Sequence, residues 1–87
     1  MNKQRYSAYE VEQEVNLVEQ KIRGKYNLPD NWYGDTYGSI AEDRYGNNLM
    51  VHMKYAASEE EYHSYLNEIK ENIERSAASY YEDLKKY

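Results

Sequence analysis

The chain has 87 residues, no cysteine and a formal net charge of −5. A single small domain is expected, and cysteine-based metal sites and disulfide frameworks are excluded. No apolar run approaches the length of a membrane span and no signal-peptide pattern is present, so the sequence predicts a cytoplasmic protein. Residues 58–87 hold most of the negative charge, which disfavours nucleic acid as a direct ligand.

The first predicted element is an α-helix that begins at Ser7. Ser7 and Glu10 have the capping-box spacing, in which each side chain accepts a hydrogen bond from the other residue's backbone N–H. Apolar residues then recur at steps of three and four, at Ala8, Val11, Val15, Val18 and Ile22. Gly24 is the predicted end of the helix, because glycine readily takes the left-handed conformation found after many helices.

The residue pattern of 31–57 predicts an antiparallel β-hairpin. Its first strand would contain Trp32, Tyr33, Tyr37 and Ile40, and its turn would lie within residues 42–48, where Gly46 and two asparagines tolerate positive φ. The second strand would present the alternating apolar residues Leu49, Val51, Met53 and Tyr55 on one face. A lone two-stranded ribbon is marginal in water, so the hairpin must pack on helices or be extended by another strand.

A long C-terminal helix is predicted from Ser58, which begins a second capping box with Glu61. One apolar stripe follows it to the last residue: Tyr62, Leu66, Ile69, Ile73, Ala77, Tyr80, Leu84 and Tyr87. The expected fold of residues 1–87 is therefore α+β, in the order helix–strand–strand–helix, with the hairpin packed against both helices. The alternative is a helical hairpin in which residues 31–57 form an irregular excursion.

The sequence contains no signature of catalysis, metal binding or cofactor binding. His52 and His63 are the only histidines, and no second His or Cys accompanies His63 with Glu59 and Glu60 to complete a zinc site. The two glycines of residues 34–38 lack the lysine of a phosphate-binding loop. We therefore expect a non-enzymatic protein without a cofactor or a metal.

Two surface features indicate a binding function. The chain has twelve tyrosines and no phenylalanine, and tyrosine is favoured on wet recognition surfaces; Trp32, Tyr33, Tyr37 and Tyr45 are the predicted anchors. A simpler explanation is that a thin fold keeps every aromatic ring near water. The predicted polar face of the C-terminal helix carries Glu60, Glu68, Glu71 and Glu74, which are candidate phosphate surrogates. A solvated helix face with pairs such as Glu71 and Arg75 is the alternative.

In size, charge and aromatic content the chain resembles the small acidic inhibitors that phages encode against host defence nucleases, such as anti-CRISPR and anti-restriction proteins. This resemblance of overall type implies an inhibitor that occupies a basic nucleic-acid groove of a host complex. One alternative is an accessory protein that homodimerises through its C-terminal helix, at Ile73, Tyr80, Leu84 and Tyr87. Another is a single-stranded nucleic-acid binder that uses the basic residues Lys21, Arg23 and Lys25 with the hairpin tyrosines.

Overall fold

Three α-helices form the part of the chain that the computed structural model describes, which is residues 3–30, 32 and 39–85. They are α1 (Ala8–Lys25), α2 (Leu49–Lys54) and α3 (Glu59–Lys85), with a 3₁₀ turn at Ser39–Ala41 between α1 and α2. The molecule is elongated, with extents of 51 × 24 × 19 Å. None of the described helices is long and apolar enough to span a membrane.

The two long helices begin where the capping boxes predict. Ser7 is the N-cap of α1, and its hydroxyl oxygen accepts a hydrogen bond from the Glu10 backbone N–H at 3.0 Å. At the start of α3, the Ser58 hydroxyl accepts from the Glu61 N–H, and the Glu61 carboxylate accepts in return from the Ala57 N–H at 2.7 Å. These bonds satisfy amide groups that have no partner within the helix.

The end of α1 differs from the prediction, because Gly24 is still helical and the left-handed residue is Asn27, with φ of 53°. The N–H of Leu28 donates to the Arg23 carbonyl and that of Asn27 donates to the Gly24 carbonyl. This pair of bonds is the Schellman motif, and buried Leu28 supplies its apolar contact. Asparagine is the residue after glycine that best tolerates this conformation.

The predicted β-hairpin, and with it the α+β class, is wrong. Among the described residues the only β-pairing is an isolated bridge between Glu42 and Asn48, and the predicted second strand is the helix α2. The predicted turn does form within residues 42–48, with Gly46 at φ of 81°, but Asn48 then caps a helix through bonds from two backbone N–H groups. The described residues are helical, as in the alternative of a helical hairpin, but the segment between the long helices contains α2, and the long helices are parallel rather than antiparallel.

The helix α1 lies parallel to α3. The rings of Tyr6 and Tyr62 are 4.2 Å apart near the two N-terminal ends, and those of Tyr26 and Tyr81 are 5.7 Å apart near the C-terminal end of α1. The segment between the helices returns along α3, where the Asn72 amide donates to the carbonyls of Ile40 and Glu42. The chain order thus brings both helix N-termini to one end of the molecule.

The core lies between α1, α2 and α3. Its largest fully buried side chains are Leu49 and Met53 of α2, Ile69 and Ile73 of α3, and Val11 of α1. The predicted stripe of α3 is buried from Tyr62 to Ala77. On α1 the stripe also includes the carboxyl-bearing Glu19, which is 3% exposed and has an interaction partner.

Candidate functional site

The predicted acidic residues of α3 do not form one surface. Glu68 and Glu71 line a polar cleft beside the loop that contains Glu42 and Asp43, together with Arg44, Asn72 and Arg75. Asp43 is used by its own loop: its carboxylate accepts from the backbone N–H groups of Asn47 and Tyr45 and from the Asn47 amide, and these bonds lower its pKa. Two arginines offset much of the remaining negative charge.

Glu74 lies on another side of α3, where it forms an ion pair and hydrogen bond with Lys25 of α1. This bond lowers the pKa of Glu74 and raises the pKa of Lys25. Glu60 is exposed in the first turn of α3, roughly two turns of helix before Glu68. The structure therefore brings Glu68 and Glu71 together and separates both from Glu60 and Glu74.

The two predicted aromatic anchors that the structure describes, Trp32 and Tyr45, lie on different parts of the molecule. Trp32 is half-buried, packs against the core and lies 6.2 Å from the Tyr80 ring, and its carbonyl accepts a hydrogen bond from Arg23. Tyr45 is 78% exposed on the loop beside the polar cleft, next to the Arg44 guanidinium. Tyr33 and Tyr37 lie outside the described residues.

The basic cluster predicted at the end of α1 is largely engaged in structural contacts. Lys25 pairs with Glu74, and Arg23 donates to the Trp32 carbonyl at 2.9 Å. The hairpin that was expected to supply stacking tyrosines is absent from the described residues. The arrangement that the nucleic-acid alternative requires is thus not present in the described part of the chain.

A groove between the N-terminal halves of α1 and α3 is the surface with the most distinctive chemistry. Its volume is about 350 Å³. Its walls are formed by three tyrosines, one leucine, three glutamates, one glutamine and one histidine: Tyr6, Tyr9, Tyr62, Leu17, Glu10, Glu14, Glu59, Gln13 and His63. No lysine or arginine is among these residues.

Hydrogen bonds of the N-terminal segment hold Tyr6 in place at the groove. The backbone N–H groups of Arg5 and Tyr6 donate to the Lys54 carbonyl at 2.8 and 3.2 Å, and the Arg5 guanidinium donates to the Ala57 carbonyl. These bonds fix Tyr6 at the junction of α2 and α3, where its ring packs on Tyr62. Arg5 is thereby directed to the backbone rather than into the groove.

The groove presents large apolar side chains to solvent. Tyr9 is 71% exposed and Leu17 is 51% exposed, and both lie on the helix α1. They are eight residues apart, which corresponds to about 12 Å along a helix. An incoming helix with apolar residues two turns apart would contact both side chains at once.

The lining of the groove carries three carboxylates and no lysine or arginine, and two of the carboxylates act on Tyr62. Burial is the largest cause that raises the pKa of the Tyr62 hydroxyl to about 12, and the charges of Glu14 and Glu10 add to it. A nearby negative charge disfavours a second one, so the tyrosinate form is suppressed. The same field would attract a cation.

The helix dipoles explain only part of this acidity. Glu10 and Glu59 lie in the first turns of α1 and α3, where the positive end of the dipole stabilises a carboxylate. Glu14 lies one turn further along α1, where the dipole effect has largely faded. It is nevertheless half-buried at the groove, beside Tyr62. The helix dipole therefore does not account for the position of Glu14.

The described lining of the groove contains no candidate metal site. Among the described residues no group of three or more His, Asp or Glu side chains is placed to hold a metal ion. The groove instead combines apolar surface with carboxylates that accept hydrogen bonds only, the combination that holds a cationic amphipathic partner.

Sequence reasoning missed these groove residues. Glu10 and Glu14 are at i,i+4 on α1, beside the core stripe, and this spacing was available in the sequence. Glu59 and Tyr62 are about 50 residues away, and they reach the same groove only because α1 and α3 are parallel. Comparison with family models, with curated proteins and with solved structures finds no match to this chain.

Proposed function

We propose that this protein is a non-enzymatic inhibitor that binds a basic, amphipathic segment of another protein in the acidic groove. The observation that carries the proposal is the lining of the groove, in which three carboxylates and three tyrosines stand together without a lysine or an arginine. The polar cleft at Glu68 and Glu71 is less suited, because Arg44 and Arg75 share it and Asp43 is held by its own loop.

The carboxylates and the tyrosine rings have different roles in binding. The carboxylates steer a basic surface toward the groove and select against acidic ones, mainly through the association rate. The rings of Tyr6 and Tyr9 then provide rigid, amphipathic contact area that loses little side-chain entropy on binding. A helical partner segment with lysine or arginine beside two apolar positions satisfies both requirements.

The partner class that fits best is a protein that handles nucleic acid. Such proteins carry clustered lysine and arginine on the face that contacts phosphates. A small acidic protein bound to that face excludes the nucleic acid and so inhibits the complex. This mode of action agrees with the overall resemblance to phage-encoded inhibitors of host defence nucleases, and the site of action under this proposal is the host cytoplasm.

The test is an affinity capture from a lysate of the natural host with two matched variants. The groove variant carries Glu10→Lys and Glu14→Lys. The control carries Glu12→Lys and Asp30→Lys, which change the net charge equally at exposed positions outside the groove. Glu74 is left unchanged, because reversal would place two lysines against each other at the Lys25 ion pair. Circular dichroism establishes that both variants keep their helices.

The expected result is one nucleic-acid-handling protein that binds wild type and the control but not the groove variant. Added wild-type protein should then displace a labelled oligonucleotide from that partner in a fluorescence anisotropy assay. If the partner binds the groove variant but does not bind a variant with Glu68→Lys and Glu71→Lys, the binding site is the polar cleft and not the groove. A partner that keeps its oligonucleotide would contradict the inhibitory role.

A further inference from the structure

The face of α1 that lines the groove changes its charge along the helix. Glu10 and Glu14 lie at its N-terminal end, and Leu17 follows them. A helix turns by about 100° per residue, so Lys21 points in a direction between those of Glu10 and Glu14. Lys21 is exposed. This face is therefore acidic at its start, apolar in its middle and basic about 16 Å beyond Glu10.

The facing side of α3 has the same order of charge. Glu59 and His63 line the groove, and exposed Lys70 points in a direction between theirs, about 16 Å beyond Glu59. The hydrogen bond from Lys25 is the largest cause that lowers the pKa of Glu74, and the charge of Lys70 adds to it. One carboxylate thus faces two lysines, so the charge beyond the groove is positive even with the ion pair of Lys25 and Glu74 included.

The helix dipoles have the same direction along this face. Because α1 and α3 are parallel, both of their positive N-terminal ends lie at the acidic end of the groove. A third helix packed along them is favoured when it runs antiparallel, since its dipole then opposes theirs. Its C-terminal end, where lysine and arginine are stabilised by its own dipole, then lies at the carboxylates.

We infer that the groove binds its partner helix in one direction, antiparallel to α1 and α3. The inference rests on the proposed function of the groove and specifies the segment that it selects. That segment is about 11 residues long, with aspartate or glutamate in its first turn, apolar residues two turns apart and lysine or arginine in its last turn. Its last turn meets Glu10, Glu14 and Glu59. Its first turn meets Lys21 and Lys70.

Two synthetic peptides of identical composition test the direction. The forward peptide has glutamates in its first turn, leucines two turns apart and lysines in its last turn, and the reversed peptide carries the same residues in the opposite order. Both are acetylated and amidated, which removes their terminal charges. A hydrocarbon staple on the solvent face gives them equal helicity, which circular dichroism checks. Binding to the wild-type protein is measured at low salt, because salt screens the charges.

A nitroxide spin label at the C-terminal end of the forward peptide reports the direction of the bound helix. Its paramagnetic broadening of protein amide signals should be strongest at Tyr9 and His63 and weak at Lys21 and Lys70. The opposite pattern would show the parallel direction and would overturn the inference, while the proposed function of the groove would stand. If neither peptide binds, the proposed function itself is contradicted.

The affinities give a second test. The reversed peptide can match the charges of the groove only in the parallel direction, where the dipoles are aligned, so it should bind about threefold or more weakly than the forward peptide. Equal affinities overturn the inference. Lys21→Glu should weaken the forward peptide, and Arg44→Glu, which makes the same charge change in the polar cleft, should not. Equal effects of these two substitutions would also contradict the contact with the first turn.

Discussion

Tyr62 occupies a core position, 4% exposed, while its hydroxyl group experiences the charges of the acidic groove. The ring packs on Tyr6 and meets the edge of His63 at 5.5 Å between centroids. A phenylalanine would fill the same space without a group that titrates. The preference for tyrosine in this chain thus places polar, ionisable groups at the boundary between core and surface.

The raised pKa of Tyr62 predicts a loss of stability at high pH. Folded Tyr62 keeps its proton up to a pKa of about 12, against an ordinary value near 10, so its contribution is complete below pH 10 and is lost as pH rises toward 12. The full effect is at most about 2 to 3 kcal/mol, because Tyr62 lines an open groove where water screens the charge of its hydroxyl group. Urea unfolding at pH 8 and pH 11.5 should show a smaller decrease for Tyr62→Phe than for wild type. An equal decrease in both proteins would contradict this assignment.

Asn27 has the left-handed conformation that ends α1. Substitutions at Asn27 and Gly24 can show which of the two residues ends the helix. Asn27→Ala should lower the free energy of unfolding by about 1 kcal/mol, because a side chain with Cβ and no local hydrogen bond disfavours positive φ. Gly24→Ala should raise it by up to about 1 kcal/mol, since Gly24 is helical and a Cβ there would meet nothing within 4 Å. Destabilisation by Gly24→Ala would instead support the glycine-terminated helix predicted from the sequence.

At the scale of elements, the long helices were predictable and α2 was not. Capping boxes and a sustained stripe identify α1 and α3, because both signals are local. In α2, Leu49 and Met53 are four residues apart, as on one face of a helix, but Leu49, Val51 and Met53 also alternate, as in a strand. A run of six residues is too short to distinguish the helical period from the strand period. Burial against α3 decides for the helix, since Leu49 and Met53 are buried while Val51 is 43% exposed.

Two substitutions in α2 distinguish the helix from a strand. Met53→Ala should cost about 2 to 5 kcal/mol of unfolding free energy, because Met53 is fully buried. Val51→Ala should change it by less than about 0.5 kcal/mol, because Val51 faces solvent and alanine favours a helix. In a strand, Val51 and Met53 would share the buried face, so comparable costs in urea unfolding would contradict the helix.

The groove was less predictable than the helices for a geometric reason. Two helices joined by a long segment can pack parallel or antiparallel, depending on the path of the connecting segment. No local signal in residues 26–58 predicts this path. In the parallel arrangement Glu14 meets Tyr62 and Glu59. In an antiparallel arrangement the same residues of α1 would face the C-terminal half of α3. The sequence revealed the acidic and aromatic character of the chain but not the surface that combines them.

At the scale of the whole molecule, the parallel helices give the protein two chemically distinct ends. Both helix N-termini, with Glu10, Glu14 and Glu59, lie at one end. Lys25 and Lys85 lie at the other end, where each is paired with a glutamate. The arrangement concentrates unpaired negative charge beside exposed tyrosine and leucine at the first end, and this feature supports the proposed inhibition.

The central claim, that the acidic groove binds a basic amphipathic helix, is tested most directly by a ¹H–¹⁵N NMR titration of the wild-type protein with a synthetic lysine–leucine helical peptide. We predict that the largest amide shifts occur at Tyr6, Tyr9, Leu17 and His63, and that they vanish in the same protein with Glu10→Lys and Glu14→Lys. Glu12→Lys should leave them unchanged. Shifts of similar size at every acidic surface, or shifts centred on Glu68 and Glu71, would contradict the claim.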